Sequence, residues 1–309
     1  MKTVVCQLKD PDFRTYFPTV SDMAPYLKEG VVVISDHTVK GSLCIYDNPG
    51  LLLHGAPVLL IGHFHCEDDI AVAAALFSEV TSIAKTKGKA YLVGPMNGSV
   101  WNDYRLPISG NASLFTGDLA QPLYDADLFC RNGFTTIHRY HSYVSAIPED
   151  TANITFPPDI TVSNIDLEHF EEDLAGLYEL SNKAFLGNPL FTPVDKEIFI
   201  GKYTQMLPLV DKRLTLVARK DQVPVAFLFS YRDPRQPGTL VIKTAAKHPD
   251  YELPGLMTSM ARLLFRNIAG MGFTRAIHAF MHEENRSLLR SREFGGTILR
   301  SYALLSKKV

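Results

Sequence analysis

The chain has little of what would tie a protein to one special chemistry or compartment. It holds four cysteines in 309 residues. These are Cys6, Cys44, Cys66 and Cys130, widely separated and without a CxxC pair. Such spacing reads most simply as reduced, mostly buried thiols of a cytoplasmic protein. Tryptophan occurs once, as Trp101. No apolar run approaches the roughly 20 residues that span a bilayer as a helix. The first ten residues lack signal-peptide architecture, which agrees with a cytoplasmic setting. Neither sign of charge dominates, because 31 basic and 33 acidic residues leave a formal net charge of −2. Nucleic acid and membrane are therefore not expected partners. There is no Walker loop and no Gly-x-Ser-x-Gly elbow.

What remains is ordinary globular composition, 46% hydrophobic and 21% charged, with room for two domains. The best linker is 147–159, which has three prolines and little periodicity. It divides the chain into 1–150 and 160–309. In the second half, Ile160–Ile165 alternates as a strand. Asp166 is placed to cap a helix reaching about Ala184, with Leu167, Phe170, Leu174, Leu177 and Tyr178 on one face. A second helix is expected from Asp195 to about Met206. Leu214–Arg219 and Val223–Tyr231 read as a hairpin around 220–222. Gly238–Ala246 is a strand, followed by a helix with Pro254 in its first turn that ends near Gly270. Arg275–Met281 is a strand, Arg286–Glu293 a short helix and Thr297–Ser306 a last strand.

The first half reads as a weaker copy. Strands are expected at Thr3–Leu8, Gly30–Ser35, Gly41–Tyr46, Val58–Cys66, Lys89–Val93 and Thr136–Val144, and a partly helical stretch over Pro11–Leu27. A helix from Asp69 to Gly88 presents Ile70, Ala73, Ala74, Phe77, Val80 and Ala84, and a short one covers Tyr124–Asn132. The copy departs from the pattern at 94–120, a stretch rich in Gly, Asn and Ser.

The order β-α-α-β-β-β-α-β-α-β over 160–309, with Glu252-Leu-Pro-Gly-Leu-Met257, Glu284-Asn-Arg-Ser287 and Phe294-Gly-Gly296, resembles the GNAT superfamily, the acyl-CoA-dependent N-acetyltransferases. The segment Gly94–Arg105, with Tyr124 and Gly133-Phe134, is similar to the first domain of bacterial tandem GNAT proteins. The resemblance implies an α/β (α+β) fold of two tandem GNAT-like domains, each a mixed, mostly antiparallel sheet flanked by helices. It also implies acetyl-CoA or another acyl-CoA as co-substrate and a small-molecule amine or amino-acid-like acceptor. A homodimer is left open.

In that family a loop of the form Arg/Gln-x-x-Gly-x-Gly/Ala holds the CoA pyrophosphate on backbone N–H groups at a helix N-terminus. Only Gly255 matches here. Glu252 brings a negative charge, Pro254 lacks an N–H, and Met257 is long. The implied cofactor-binding residues are Thr244, Ala245, Ala246, Leu253, Gly255, Leu256, Met257 and Asn285, the last of which is equally a helix cap. The matching turn of the first half, Cys66–Val72, has no glycine, and its carboxylates would cap the helix themselves.

The family's usual Glu and Tyr are not at their positions. The strand 239–246 has Lys243 and no carboxylate, and Ser291 and Phe129 stand where the Tyr is expected. His278, His282 and Tyr302 are the substitute catalytic candidates, although packing accounts for each as well. Asn97, Trp101, Tyr104 and Arg105 fit either a small polar substrate or a contact between the halves. His63, His65, Cys66 and Glu67 do not converge as metal ligands on a strand, so no metal is expected. A non-catalytic binding or scaffold protein on the same fold is the alternative reading. Transfer from charged tRNA is disfavoured by the charge balance.

Overall fold

The computed structural model of the protein describes residues 1–21, 24–110, 112–149 and 154–309, so the linker residues 150–153 lie outside the described residues. The strands are β1 (Lys2–Gln7), β2 (Leu27–Ser35), β3 (Thr38–Tyr46), β4 (Leu52–Leu53), β5 (Ala56–Cys66), β6 (Tyr91–Gly94), β7 (Leu106–Ser109), β8 (Thr135–Ala146), β9 (Thr161–Asn164), β10 (Thr215–Lys220), β11 (Val223–Arg232), β12 (Thr239–Lys247), β13 (Arg275–His282) and β14 (Thr297–Lys308). The helices are α1 (Pro11–Tyr16), α2 (Ile70–Thr86), α3 (Tyr124–Arg131), α4 (Phe170–Phe185), α5 (Lys196–Gln205), α6 (Leu256–Asn267) and α7 (Ser287–Glu293).

Local chemistry explains most of these elements. Two hairpins, β2–β3 and β10–β11, turn on pairs of left-handed residues: Asp36 and His37 in one, Asp221 and Gln222 in the other. Paired left-handed residues give a turn whose twist matches the flanking strands. Asp69 caps α2, its Oδ1 accepting from the N–H of Ala71 at 2.8 Å and of Val72 at 3.4 Å. The buried face of α2 is Val72, Ala73, Leu76, Phe77, Val80 and Ala84, whereas Ala74 is exposed. Phe77 packs against Phe64, Phe129 and Phe134 with ring centroids 4.7–5.5 Å apart. Burying one such side chain contributes about 1.5–3 kcal/mol.

Some expected boundaries move. The helix expected at Asp166 starts at Phe170, because the Asp166 carboxylate accepts from the Glu168 N–H and pairs with His169, holding a turn of its own. Leu167 is accordingly left exposed. Pro254 precedes α6, which starts after Gly255. Among the described residues of 11–27 only Pro11–Tyr16 is α-helical, and the 94–120 segment contributes β7.

The strands form one sheet with the path β1-β2-β3-β5-β6-β14-β8-β13-β12-β11-β10-β9, with β4 beside β5 and β7 beside β14. The path has the same plan from either end. β5–β6 and β12–β13 are parallel, and the other neighbours along it are antiparallel. The last strand of each half lies beside the other half's parallel pair: β14 joins β6, and β8 joins β13. Among the described residues four large apolar cores cover the two faces, with a small fifth cluster of Tyr143, Met281 and Leu288. In the first half α2 and α3 pack on one face and α1 on the other, and in the second half α6 packs on one face and α4 and α5 on the other.

Candidate active site

The parallel pairs matter most. β12 and β13 pair only from Thr239/Arg275 to Ile242/His278, yet run on to Lys247 and His282. They therefore part over their C-terminal ends, and the ends of open parallel strands are where ligands commonly sit. β5 and β6 pair over Val58–Leu60 and Tyr91–Val93, but there the chain fills the space itself. Asn97 Oδ1 accepts from the His63 N–H at 2.8 Å, and the Met96 N–H donates to Ile61 O at 2.7 Å. A Cβ on Gly62 would lie 2.4 Å from Asn97 Oδ1 and 2.7 Å from the Tyr46 ring, so only glycine fits beneath this plug.

The two helix N-termini differ in the same sense. α2 is capped by Asp69, whereas no side chain caps α6. Gly255 stands at that N-terminus with φ +76°, and a Cβ there would meet nothing. Uncapped N–H groups and the positive end of the helix dipole suit an anion. Met257 is turned into the apolar core and is 6% exposed, while Glu252 and Pro254 face solvent.

The gap between β12 and β13 opens into a cavity of about 1120 Å³. Its walls come from the ends of β12 and β13, from α6 and α7, from α5 and the loop before it, and from the 94–120 segment. Thr244, Ala245, Met257 and Asn285 line it. Asn285 also accepts from the Ser287 N–H at 3.0 Å and so holds the first turn of α7. Ala246, Leu253 and Leu256 are buried in the cores beside the gap. Asn97, Trp101, Tyr104 and Arg105 line the opposite end. Trp101 also joins the halves, donating from Nε1 to Thr192 O at 2.9 Å and packing against Phe185, Phe191 and Phe199.

Three imidazoles among the described residues reach the cavity: His63, His278 and His282. His63 is engaged at both ring nitrogens, with the Tyr46 hydroxyl at 2.7 Å and Asn97 Nδ2 at 3.3 Å. His282 Nδ1 accepts from the Glu284 N–H at 3.3 Å, so its Nε2 carries the proton and donates to His138 Nδ1 at 3.2 Å. The His278 ring has one hydrogen-bond partner among the described residues, Ser145 Oγ at 3.2 Å from its Nε2. Burial pushes the His278 imidazole down to about 4, so it is neutral at pH 7 and weakly basic. Tyr302 lies behind the wall. It is fully buried, its hydroxyl donates to Asp118 Oδ1 at 2.7 Å, and burial and then the Asp118 charge raise its phenol. Asp118 in turn pairs with Arg300 at 3.0 Å, fastening the 94–120 segment to β14.

Other lining residues carry no motif. Lys202, Lys243 and Arg290 line the cavity with Arg105, and Asp103 is its one carboxylate among the described residues. The signal for Lys243 is a lysine in the middle of a strand, directly after the apolar run Leu240–Ile242. Lys202 donates to Trp101 O at 3.1 Å and Asn102 Oδ1 at 2.7 Å.

No family model matches the chain, and no curated protein sequence does. Solved structures do match over its whole length. A GCN5-related N-acetyltransferase from Sphaerobacter thermophilus is 11% identical, with a TM-score of 0.58 over 99% of this chain and 95% of that one. A tandem GNAT protein from the clavulanic acid biosynthesis pathway is 12% identical, with a TM-score of 0.56 over 99% and 98% of the two chains.

The chain has the tandem GNAT fold.

A GCN5-related N-acetyltransferase from Anabaena variabilis is also similar, at 11% identity and a TM-score of 0.57, over 99% of this chain and 72% of that one. Within the GNAT fold of this protein, the second half keeps the parted strands and an uncapped helix, and the first half has filled and capped the same places. Among the described residues no group of three metal-liganding side chains occurs, His65 being exposed and Cys66 buried. No helix is long and apolar enough to cross a membrane.

Proposed function

We propose that the protein is an acyl-CoA-dependent N-acyltransferase whose acyl-CoA site lies in the second half and whose acceptor is a small amine. The observation that carries this reading is the asymmetry between the halves: an open gap with an uncapped α6 in one, a plugged gap with a self-capped α2 in the other. The N–H groups at the start of α6, with Gly255, would hold the pyrophosphate. Thr244, Ala245 and Asn285 would line the arm. When bound, the thioester supplies the activated acyl group. The protein's own residues exclude water and orient the amine, because the acceptor must arrive from the end lined by Asn97, Trp101, Tyr104 and Arg105. Residues 1–150 would serve as the acceptor-side domain and 160–309 as the CoA domain, in a cytoplasmic setting that fits four free cysteines.

The amine must be neutral to attack. Of the three cavity imidazoles, His278 is the one with a ring nitrogen that has no hydrogen-bond partner among the described residues, and at about 4 it holds a proton only briefly. The rate is therefore expected to climb with pH towards the pKa of the acceptor amine, with no plateau near 7. Calorimetric titration with acetyl-CoA and longer acyl-CoAs tests the reading, and absence of heat at millimolar ligand would overturn it.

A second reading is a non-catalytic binding protein on this fold. It is favoured by the sealed Tyr302 and the doubly engaged His63 and His282. It predicts acyl-CoA binding without thiol release when amines are supplied.

A further inference from the structure

The cavity is cationic in a chain whose formal net charge is −2. Arg105, Lys202, Lys243 and Arg290 face it against Asp103 alone among the described residues. Two of these cations share one aromatic ring. The Arg105 guanidinium carbon lies 4.5 Å from the centre of Phe280, with Tyr104 at 3.9 Å and Tyr140 at 4.6 Å, and Lys243 Nζ lies 4.3 Å from the same Phe280.

Neither cation has the partner its burial calls for. Arg105 is 8% exposed. Its Nε donates to Tyr104 O at 3.0 Å, but its Nη1 is buried without a hydrogen-bond partner. Lys243 has no ion pair or hydrogen bond among the described residues, and burial followed by the Arg105 charge pushes its ammonium down to about 8. Holding like charges together in a poorly solvated place is costly. Three rings lower that cost through their π faces, yet the unused guanidinium nitrogen stays unsatisfied. The backbone reinforces the placement, since Arg105 itself sits at φ +71°, a conformation that is strained for a bulky side chain and clusters at ligand clamps.

We propose that Arg105 and Lys243 form a clamp for a carboxylate on the acceptor. This rests on the transferase reading for the word acceptor, and it narrows that acceptor to amines bearing an acid, such as amino acids. A planar carboxylate matches the guanidinium fork. A phosphate normally also draws on backbone N–H groups at a helix start or glycine loop, and the uncapped helix here belongs to the acyl-CoA end. The remaining cations have other work. Lys202 is tied to the Trp101 backbone and the Asn102 side chain, and Arg290 stands on α7 at the end of the cavity that Asn285 lines.

Trp101 is the chain's single tryptophan and lines this cavity, so its fluorescence reports occupancy directly. The probes are glutarate, its uncharged diamide and inorganic phosphate, titrated at low salt into the intact protein without acyl-CoA. Glutarate is expected to bind at least about tenfold more tightly than the diamide. Lys243→Met should weaken glutarate about tenfold and leave the diamide unchanged; Arg105→Gln should do the same, with its fold checked by circular dichroism. Equal binding of glutarate and diamide, or no effect of Lys243→Met, would overturn the clamp. Tighter binding of phosphate than glutarate would overturn the choice of carboxylate. Glutarate binding intact with no acyl transfer to any amino acid would instead sink the transferase reading, so the two failures are distinguishable.

Discussion

At the residue scale, His278 shows how position on the sheet sets chemistry. Pairing with Tyr143 and Ile242 holds it where β12 and β13 begin to part, and burial lowers its imidazole to about 4. In an unfolded chain the same ring titrates near 6.5. Between those values the unfolded state takes a proton that the folded state refuses, so stability is lost as pH falls from about 6.5 to 4. The full effect is on the order of 3 kcal/mol. His278→Gln removes it, so urea midpoints measured at pH 7 and again near pH 4.5 should fall less for the variant than for the parent. Parallel falls would show that this burial is not the source. His63 and His138 are lowered by burial in the same direction, which is why the difference between the two proteins, and not the parent's slope alone, is the measurement. His278 was readable in the sequence as a histidine on a cleft strand, but not its burial. Lys243 was visible there only as a missing carboxylate, because strand alternation says which face a residue takes and not what faces it.

At the element scale, the contrast between α2 and α6 is one of N-terminal chemistry. Sequence spacing located both helices and the carboxylates that cap α2. It also gave Met257 as an obstacle beside Gly255. The structure turns that side chain largely into the core below α6, where it also forms part of the cavity wall, because a residue in the first turn of an amphipathic helix points along its buried stripe. Glu252 remains as the exposed charge before the helix. Glu252→Arg alone is therefore expected to tighten acetyl-CoA binding roughly 3–10-fold at low salt. Most of the gain should vanish at about 0.5 M salt, since exposed charges are screened within a few ångströms there. Calorimetry at the two salt concentrations checks both statements, and an unchanged affinity would mean that the anion does not bind near this turn. The start of α4 was not readable for a related reason: Asp166 looks like a cap in one dimension, and it caps a separate turn three residues early.

At the scale of the whole molecule, the two halves are not independent sheets. Local patterns located every labelled strand and helix except β4 and β7 well enough to give the fold, but a strand's pattern does not name its neighbour. Nothing in 135–146 or 297–308 says that β8 will lie beside β13 and β14 beside β6. The pairings are long-range, and β14 also binds β8 along most of its length. A chain ending at residue 149 should therefore lack the strand that covers Leu92 and Val93 and should be poorly soluble, while the same chain supplied with 154–309 in trans should recover dispersed amide resonances. A soluble, well-dispersed 1–149 fragment would show that β14 is dispensable to the first half.

The exchange of last strands also sets a timetable for synthesis. When β6 leaves the ribosome, its free edge has no partner until β14 emerges roughly 200 residues later. At ~5–20 residues per second that interval is on the order of ten seconds or more. Unpaired apolar edges recruit other chains, so nascent copies on one message are each other's nearest hazard. Keeping that edge from other chains until β14 emerges is a demand set by the strand order and not by any single residue.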